Sequence, residues 1–292
     1  MTSSHMQLPL LRLIVVNLVW CSADDSEQQP TPTPTTTVGL PPCAKPDAFN
    51  NVTQWPKMQY RASWKCRSCI HGNAKSQHGE DQKLLPLLHQ VSEATEGTFV
   101  ELGALDGVSM SNSYLFEKCF GWRGVLIEAN GDNFAKMQKA NRNRSHLVHS
   151  AICNGTGTVR FTKGGNNVAA QVDVMDPKHW KRWGKVIGTR VDEVSCRSLA
   201  SILADNGMPR PTFLSLDVEG AEAIVLRTVD PSAFEVILIE WAGSGQESKK
   251  DREVHQLLSQ AGMLLREALS KGNSWHGGLS RVYVKPTWLS SA

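Results

Sequence analysis

The sequence predicts an α/β fold: a doubly wound, mostly parallel, Rossmann-like sheet that closes with a C-terminal antiparallel hairpin. Three observations predict it. From about residue 76 onward, short apolar strand patterns alternate with helical ones. The first strand pattern ends in an acid and opens into a glycine-bearing loop, Glu101-Leu102-Gly103-Ala104-Leu105-Asp106-Gly107. Near the C-terminus, residues 265–269 and 279–284 read as two consecutive strands.

The elements follow in order. Leu84, Leu85, Leu87, Leu88 and Val91 recur at helical spacing, which predicts a helix over 80–94. Residues 98–102 read as a strand and 109–119 as a helix, with Ser109 or Ser111 as N-cap. A strand over 124–127, a helix over 132–140 and a strand over 146–151 come next. Later, strands over 213–216 and 234–239 are each followed by a helix, over 221–227 and 252–261. Between the third and fourth parallel strands, 155–163 and 186–196 read as an insertion of two strands without a helix between them.

The chain has 292 residues, 40% hydrophobic and 20% charged, which is ordinary globular composition and excludes a polytopic membrane protein. A net charge of +3 is too small to argue for a nucleic-acid partner, and none is expected. Residues 1–23 read as a secretory signal peptide ending at Ala23, with an uncleaved signal-anchor as the alternative. Residues 24–75 read as a stalk and cysteine-containing linker, rich in Pro and Thr between Gln28 and Pro42, and 76–292 as the folded domain. Sequons at Asn51, Asn143 and Asn154 agree with a lumenal location, in the Golgi or secreted. Without Cys21, six cysteines remain (Cys43, Cys66, Cys69, Cys119, Cys153 and Cys196), an even number that suits an oxidising lumen. The Cys66-x-x-Cys69 pair lies in a turn-rich stretch and reads as structural disulfide chemistry rather than a redox or zinc motif.

The chemistry concentrates at strand ends. The loop after 98–102 lacks the Gly-x-Gly-x-x-Gly spacing of a dinucleotide site. Carboxylates at Glu101 and Asp106 would repel phosphate, so the loop suits a cationic, hydroxyl-bearing ligand without phosphates, such as S-adenosylmethionine. Glu128 closes the next strand, where a carboxylate can accept both ribose hydroxyls. Asp217 and Glu219 follow the 213–216 strand and Glu240 ends the next, so three carboxylates can converge on one lip. That suits a general base or a hard divalent cation; the bland alternative is helix capping. Lys178-His179-Trp180-Lys181-Arg182-Trp183 is a basic-aromatic patch suited to sugars, or else a solvated amphipathic turn. His149 reads as a strand-end polar residue.

Residues 99–107, Ser111-Asn112-Ser113, 124–130 and 213–222 together resemble the FkbM-type family of S-adenosylmethionine-dependent methyltransferases. Ser76-Gln77-His78-Gly79-Glu80-Asp81 is similar to a segment upstream in eukaryotic members, and the resemblance covers about 76–285. It implies a class I methyltransferase fold, seven-stranded, with the last strand inserted antiparallel. It also implies S-adenosylmethionine as cofactor, lined by Glu101, Gly103, Asp106, Gly107 and Asn112, with Glu128 at the ribose and Ser150 and Ala151 near the adenine. Asp217, Glu219 and Glu240 are the expected catalytic groups, and a cation held by Asp217 and Glu240 is the alternative to a simple base. Ser215 departs from the family, where many relatives carry Lys.

The expected function is O-methylation of a hydroxyl on a small molecule or glycan in the secretory pathway. The alternative is a non-catalytic binding module that keeps the fold.

Overall fold

The computed structural model describes residues 41–43, 63–94, 97–164, 166–175, 177–241, 249–270 and 280–289. The signal-peptide reading of 1–23, the Pro/Thr tract and the Asn51 sequon lie outside the described residues. No helix among the described residues is long and apolar enough to cross a membrane.

Two helices come first, α1 (Trp64–Asn73) and α2 (Glu80–Ala94), then β1 (Thr98–Leu102), α3 (Tyr114–Phe120), β2 (Arg123–Glu128), α4 (Gly131–Met137) and β3 (Ser145–His149). An insertion follows: β4 (Ala151–Ile152), β5 (Thr156–Thr162), α5 (Pro177–Ile187) and β6 (Val191–Arg197). The chain then forms α6 (Leu199–Asp205), β7 (Phe213–Leu216), α7 (Glu222–Arg227), β8 (Val236–Glu240), α8 (Lys249–Gln260), β9 (Leu264–Leu265), α9 (Glu267–Ser270) and β10 (Ser280–Val284).

The main sheet has seven strands in the order β3-β2-β1-β7-β8-β10-β9. Strands β3, β2, β1, β7 and β8 run parallel, and β10 lies antiparallel between β8 and β9. The expected doubly wound sheet and its antiparallel closing strand are both present. The reason is legible strand by strand. Phe99, Leu126, Phe213, Val236 and Leu238 pack on one face; Val100, Val125, Leu214, Ile237 and Ile239 pack on the other. Successive strand residues alternate faces, so a strand apolar at every position must be covered on both sides.

Several boundaries differ from the sequence reading. The 109–119 helix starts only at Tyr114, because Ser111 and Ser113 donate their hydroxyls to the buried end of β1 at Glu101. The third strand divides at Ser150: β3 stays in the main sheet while β4 joins β5 and β6 in a separate three-stranded sheet. The insertion does contain a helix, α5, which the basic-aromatic composition of 178–183 obscured. Residues 267–270 form a short helix rather than strand.

The segment around Cys66 is helical rather than turn-rich, and the folded body begins earlier than residue 76. Helix α1 carries Cys66, bonded to Cys43, and Cys69, bonded to Cys119 of α3. The two cysteines are structural, as expected, yet bond to distant partners. Cys153 and Cys196 form the third disulfide, within the inserted sheet.

Candidate functional site

Strands β1, β2 and β7 end at one edge of the sheet, and their following loops surround a cavity of about 930 Å³, open solvent included. Topology at this edge of a doubly wound sheet leaves a crevice, because the crossovers leave in opposite directions on either side of β1.

Glu101, Gly103, Asn112, Glu128, Ser150 and Ala151 line this cavity, together with Asp217 and Glu219. Two expected cofactor residues do not. Asp106 accepts from the backbone N–H groups of Val108 and Ser109 and from the Ser109 hydroxyl, so its carboxylate is spent within its own turn. Burial raises its pKa, but these hydrogen bonds outweigh that and hold it below the usual value. Gly107, at φ +77°, packs against Met137 of α4, where an added Cβ would lie 3.0 Å from the Met137 side chain.

Gly103 has a stricter requirement. Its φ is +72°, and a Cβ there would lie 1.9 Å from the carbonyl oxygen of Asp217. The loops after β1 and β7 therefore meet backbone to backbone. Glu101 is buried and accepts from Asn112 N–H (2.7 Å) and the Ser111 hydroxyl (2.7 Å), which pins the Ser-Asn-Ser stretch to the cavity wall.

The sequence reading missed the support beneath this loop. Arg142, 3% exposed, donates to Glu117 (2.7 Å), to the Gly107 carbonyl (2.6 Å) and to the Ser113 hydroxyl (2.8 Å). It has no sequence signal, since an arginine in a polar turn ordinarily faces water.

Glu128 is 5% exposed and accepts from Leu105 N–H and Asn130 N–H, both at 2.7 Å. Burial raises its pKa to about 7 despite those bonds. Ala129 N–H and the Asn133 side chain also hydrogen-bond to it, so its four lone-pair positions are engaged and a ribose hydroxyl would share an oxygen with them.

The three lip carboxylates come together: one oxygen from each of Asp217, Glu219 and Glu240 lies within 4.8 Å of the others. Neither Asp217 nor Glu219 caps α7, whose N-cap is Ala221 without a side-chain bond. Glu219 arrives by an unexpected path: the chain is not extended but left-handed there, at φ +53°. Leu105 (φ +52°) and Met110 (φ +59°) are likewise left-handed, and all three line the cavity. Such conformations persist where surroundings hold them. Leu105 is tied to Glu128, Met110 bridges Ser76, and Glu219 meets His179 of α5 at 3.0 Å. His179 also contacts the Val168 carbonyl through Nε2 (2.9 Å). A carbonyl only accepts, so Nε2 carries the hydrogen of that bond.

Burial, then the charges of Glu219 and Glu222, raise the Asp217 pKa, while a hydrogen bond with Glu240 and the nearby Lys250 oppose this. Burial, then Asp217, raises Glu240 well above the ordinary carboxylate range. Lys250 of α8 pairs with the buried Glu222 at 3.0 Å. Glu222 also accepts from Val218 and Gly220 N–H and so shapes the Asp217–Gly220 turn. A cation thus stands near the acid cluster from α8, although position 215 is serine.

The insertion contributes Phe161, Asn167 and Gln171 to the cavity wall, none of them marked in the sequence. His149 stacks on Phe134 (4.8 Å between centroids), as a strand-end residue outside the cavity lining. In α5, Trp180 is exposed.

The Methyltransferase FkbM domain family matches residues 101–265. Among solved structures, the chain is similar to an FkbM methyltransferase from Methylobacillus flagellatus KT, at 15% identity and TM-score 0.38, covering 74% of this chain and 58% of that one. It therefore spans under two thirds of that protein. It is similar to the precorrin-6y C5,15-methyltransferase of Geobacter metallireducens GS-15, at 10% identity and TM-score 0.39, covering 70% and 88%. It is also similar to the N-terminal domain of human METTL16 in complex with SAH, at 10% identity and TM-score 0.39, covering 70% of each chain. No curated protein matches the chain in sequence.

Proposed function

Because the chain belongs to the FkbM family of S-adenosylmethionine-dependent methyltransferases, we propose that it is an O-methyltransferase acting on a hydroxyl of a sugar or glycan in the lumen of the secretory pathway. The observation that carries this reading is one cavity lined by Gly103, Glu128, Asp217 and Glu219. It joins a close-approach glycine and a strand-end carboxylate to Asp217, whose pKa burial raises to about 7.

The residues fit the cofactor. Glu128, Ser150 and Ala151 line one cavity with Gly103, the Glu128 carboxylate can share its oxygens with ribose hydroxyls, and Gly103 keeps a Cβ out of the approach. Bound there, S-adenosylmethionine supplies an activated methyl group. The protein's share is positioning, exclusion of water and proton removal. Asp217 is our general base, since its raised pKa lets it take a hydroxyl proton near neutral pH, and its hydrogen bond to Glu240 orients it. Glu219, held by His179, borders the same space.

A second reading places a divalent cation on Asp217, Glu219 and Glu240, favoured by their mutual 4.8 Å spacing. The lumenal location is supported by the three disulfides and by exposed asparagines at sequons 143 and 154. The test is calorimetry with S-adenosylmethionine, followed by labelled methyl transfer to neutral sugars, glycans and small alcohols. Absence of binding favours the non-catalytic module. Binding without transfer to any hydroxyl removes the O-methylation reading.

A further inference from the structure

The Ser76–Asp81 stretch takes no part in the cofactor pocket, yet it is firmly built. Asp81 accepts from Lys75 N–H (2.9 Å), the Ser76 hydroxyl (2.6 Å) and Gln82 N–H (2.7 Å), and His78 N–H donates to Glu80 (2.8 Å). Ser76 bridges Met110, and the Ser280 hydroxyl reaches Glu80, so the stretch is tied to both the β1 loop and β10.

This stretch walls a second, smaller chamber of about 420 Å³, open solvent included. It shares Met110, Asn112, Ser215 and Asp217 with the cofactor cavity, so the two spaces meet at the acid lip. Two buried polar atoms of its wall have no partner: His78 Nε2 and Asn112 Oδ1. Buried polar atoms are rarely left unsatisfied without a ligand or water to meet them. Asn112 Nδ2 already donates to Ser215 (3.0 Å), which fixes the amide with its oxygen free.

We propose that this chamber seats the methyl acceptor, and that the acceptor is an uncharged, hydroxyl-bearing ring contacted by His78 Nε2 and Asn112 Oδ1. The inference rests on the methyltransferase reading and adds the acceptor's place and class. Chemistry limits the class. Asn112 Oδ1 only accepts, so it wants a hydroxyl donor, while His78 Nε2 donates or accepts according to tautomer. The Glu80 carboxylate also borders the chamber, so an anionic sugar would meet a like charge there. Ring hydroxyls can meet Asn112 Oδ1 and His78 Nε2 in a chamber that Asp217, the proposed base, also borders.

The test uses the full secreted chain carrying ¹³C-methyl methionine, saturated with S-adenosylhomocysteine, with the Met110 signal assigned from Met110→Leu. Methyl glycosides of neutral hexoses and inositol are titrated in, and glucuronic acid is run in parallel. A neutral compound should shift the Met110 signal saturably, while the uronic acid leaves it in place. His78→Ala should weaken that binding about tenfold, the scale of one lost hydrogen bond. His78→Gln, which restores an N–H at similar reach, should stay within about threefold of wild type. Affinity for S-adenosylhomocysteine should be the same in all three. No shift with any neutral compound, an equal shift with the uronic acid, or equal losses for Ala and Gln would overturn the proposal. Failure of the wild type to bind S-adenosylhomocysteine sinks the methyltransferase reading and this inference with it.

Discussion

The Gly103 Cα sits so close to the Asp217 carbonyl that a single added methyl would come within 1.9 Å of it. The contact joins the loop expected to hold the cofactor to the loop expected to carry the base. Gly103→Ala must therefore separate the two strand ends as well as adopt a left-handed φ. It should cost at least about 2 kcal/mol in chemical denaturation, and cofactor affinity should fall in the protein that remains folded.

Glu128 links cofactor affinity to pH. With its pKa raised to about 7 in the free protein, it is protonated at lower pH, whereas ribose hydroxyls favour the carboxylate. Binding then releases a proton, and the dissociation constant should rise about tenfold per pH unit below about 7. Calorimetry between pH 5.5 and 8.5 measures this slope. Glu128→Gln should weaken binding and flatten the slope; an unchanged slope removes Glu128 from the ribose.

Asp217→Asn tests the base. Shape is kept and charge is lost, so turnover should fall about 10²–10⁴-fold with little change in cofactor affinity. Loss of activity in EDTA with recovery in Mg²⁺ or Mn²⁺ would identify the cation reading instead.

The acid cluster also sets a direction for stability. Asp217, Glu240 and Glu128 all have folded pKa values above their unfolded ones, so the folded state binds more protons. Their contribution should decline as pH rises from about 4 towards 7. Glu128→Gln should remove part of this decline, measured as Tm against pH without cofactor.

Arg142 should be hard to replace. Arg142→Ala leaves Glu117 buried beside a cavity and frees the Gly107 carbonyl. A loss of about 1–3 kcal/mol is expected in urea denaturation, the scale for lost hydrogen bonds to a buried charged group, since Lys118 stays 3.5 Å from Glu117 and the Ser145 hydroxyl still donates to it. A loss below about 1 kcal/mol would mean that water satisfies Glu117.

Much of the site was legible because strand-end positions are local in sequence. Glu101, Glu128, Asp217 and Glu240 each follow an apolar run, and a parallel sheet brings such ends to one edge whatever lies between. Asp106 and Gly107 stand outside the cavity lining, a distinction that composition does not carry because a turn and a ligand loop use the same residues. Only hydrogen bonds to Ser109 and packing on Met137 distinguish them.

By itself the sequence determined the alternating elements, the doubly covered sheet and the acids at its rim, since side-chain periodicity and strand ends are properties of neighbouring residues. Tertiary structure alone decided which cysteines pair, that α5 brings His179 to Glu219, that Lys250 stands by the acids, and that His78 and Asn112 face one chamber. Those relations join residues tens to hundreds of positions apart. They follow from close packing of whole elements, which no local pattern records.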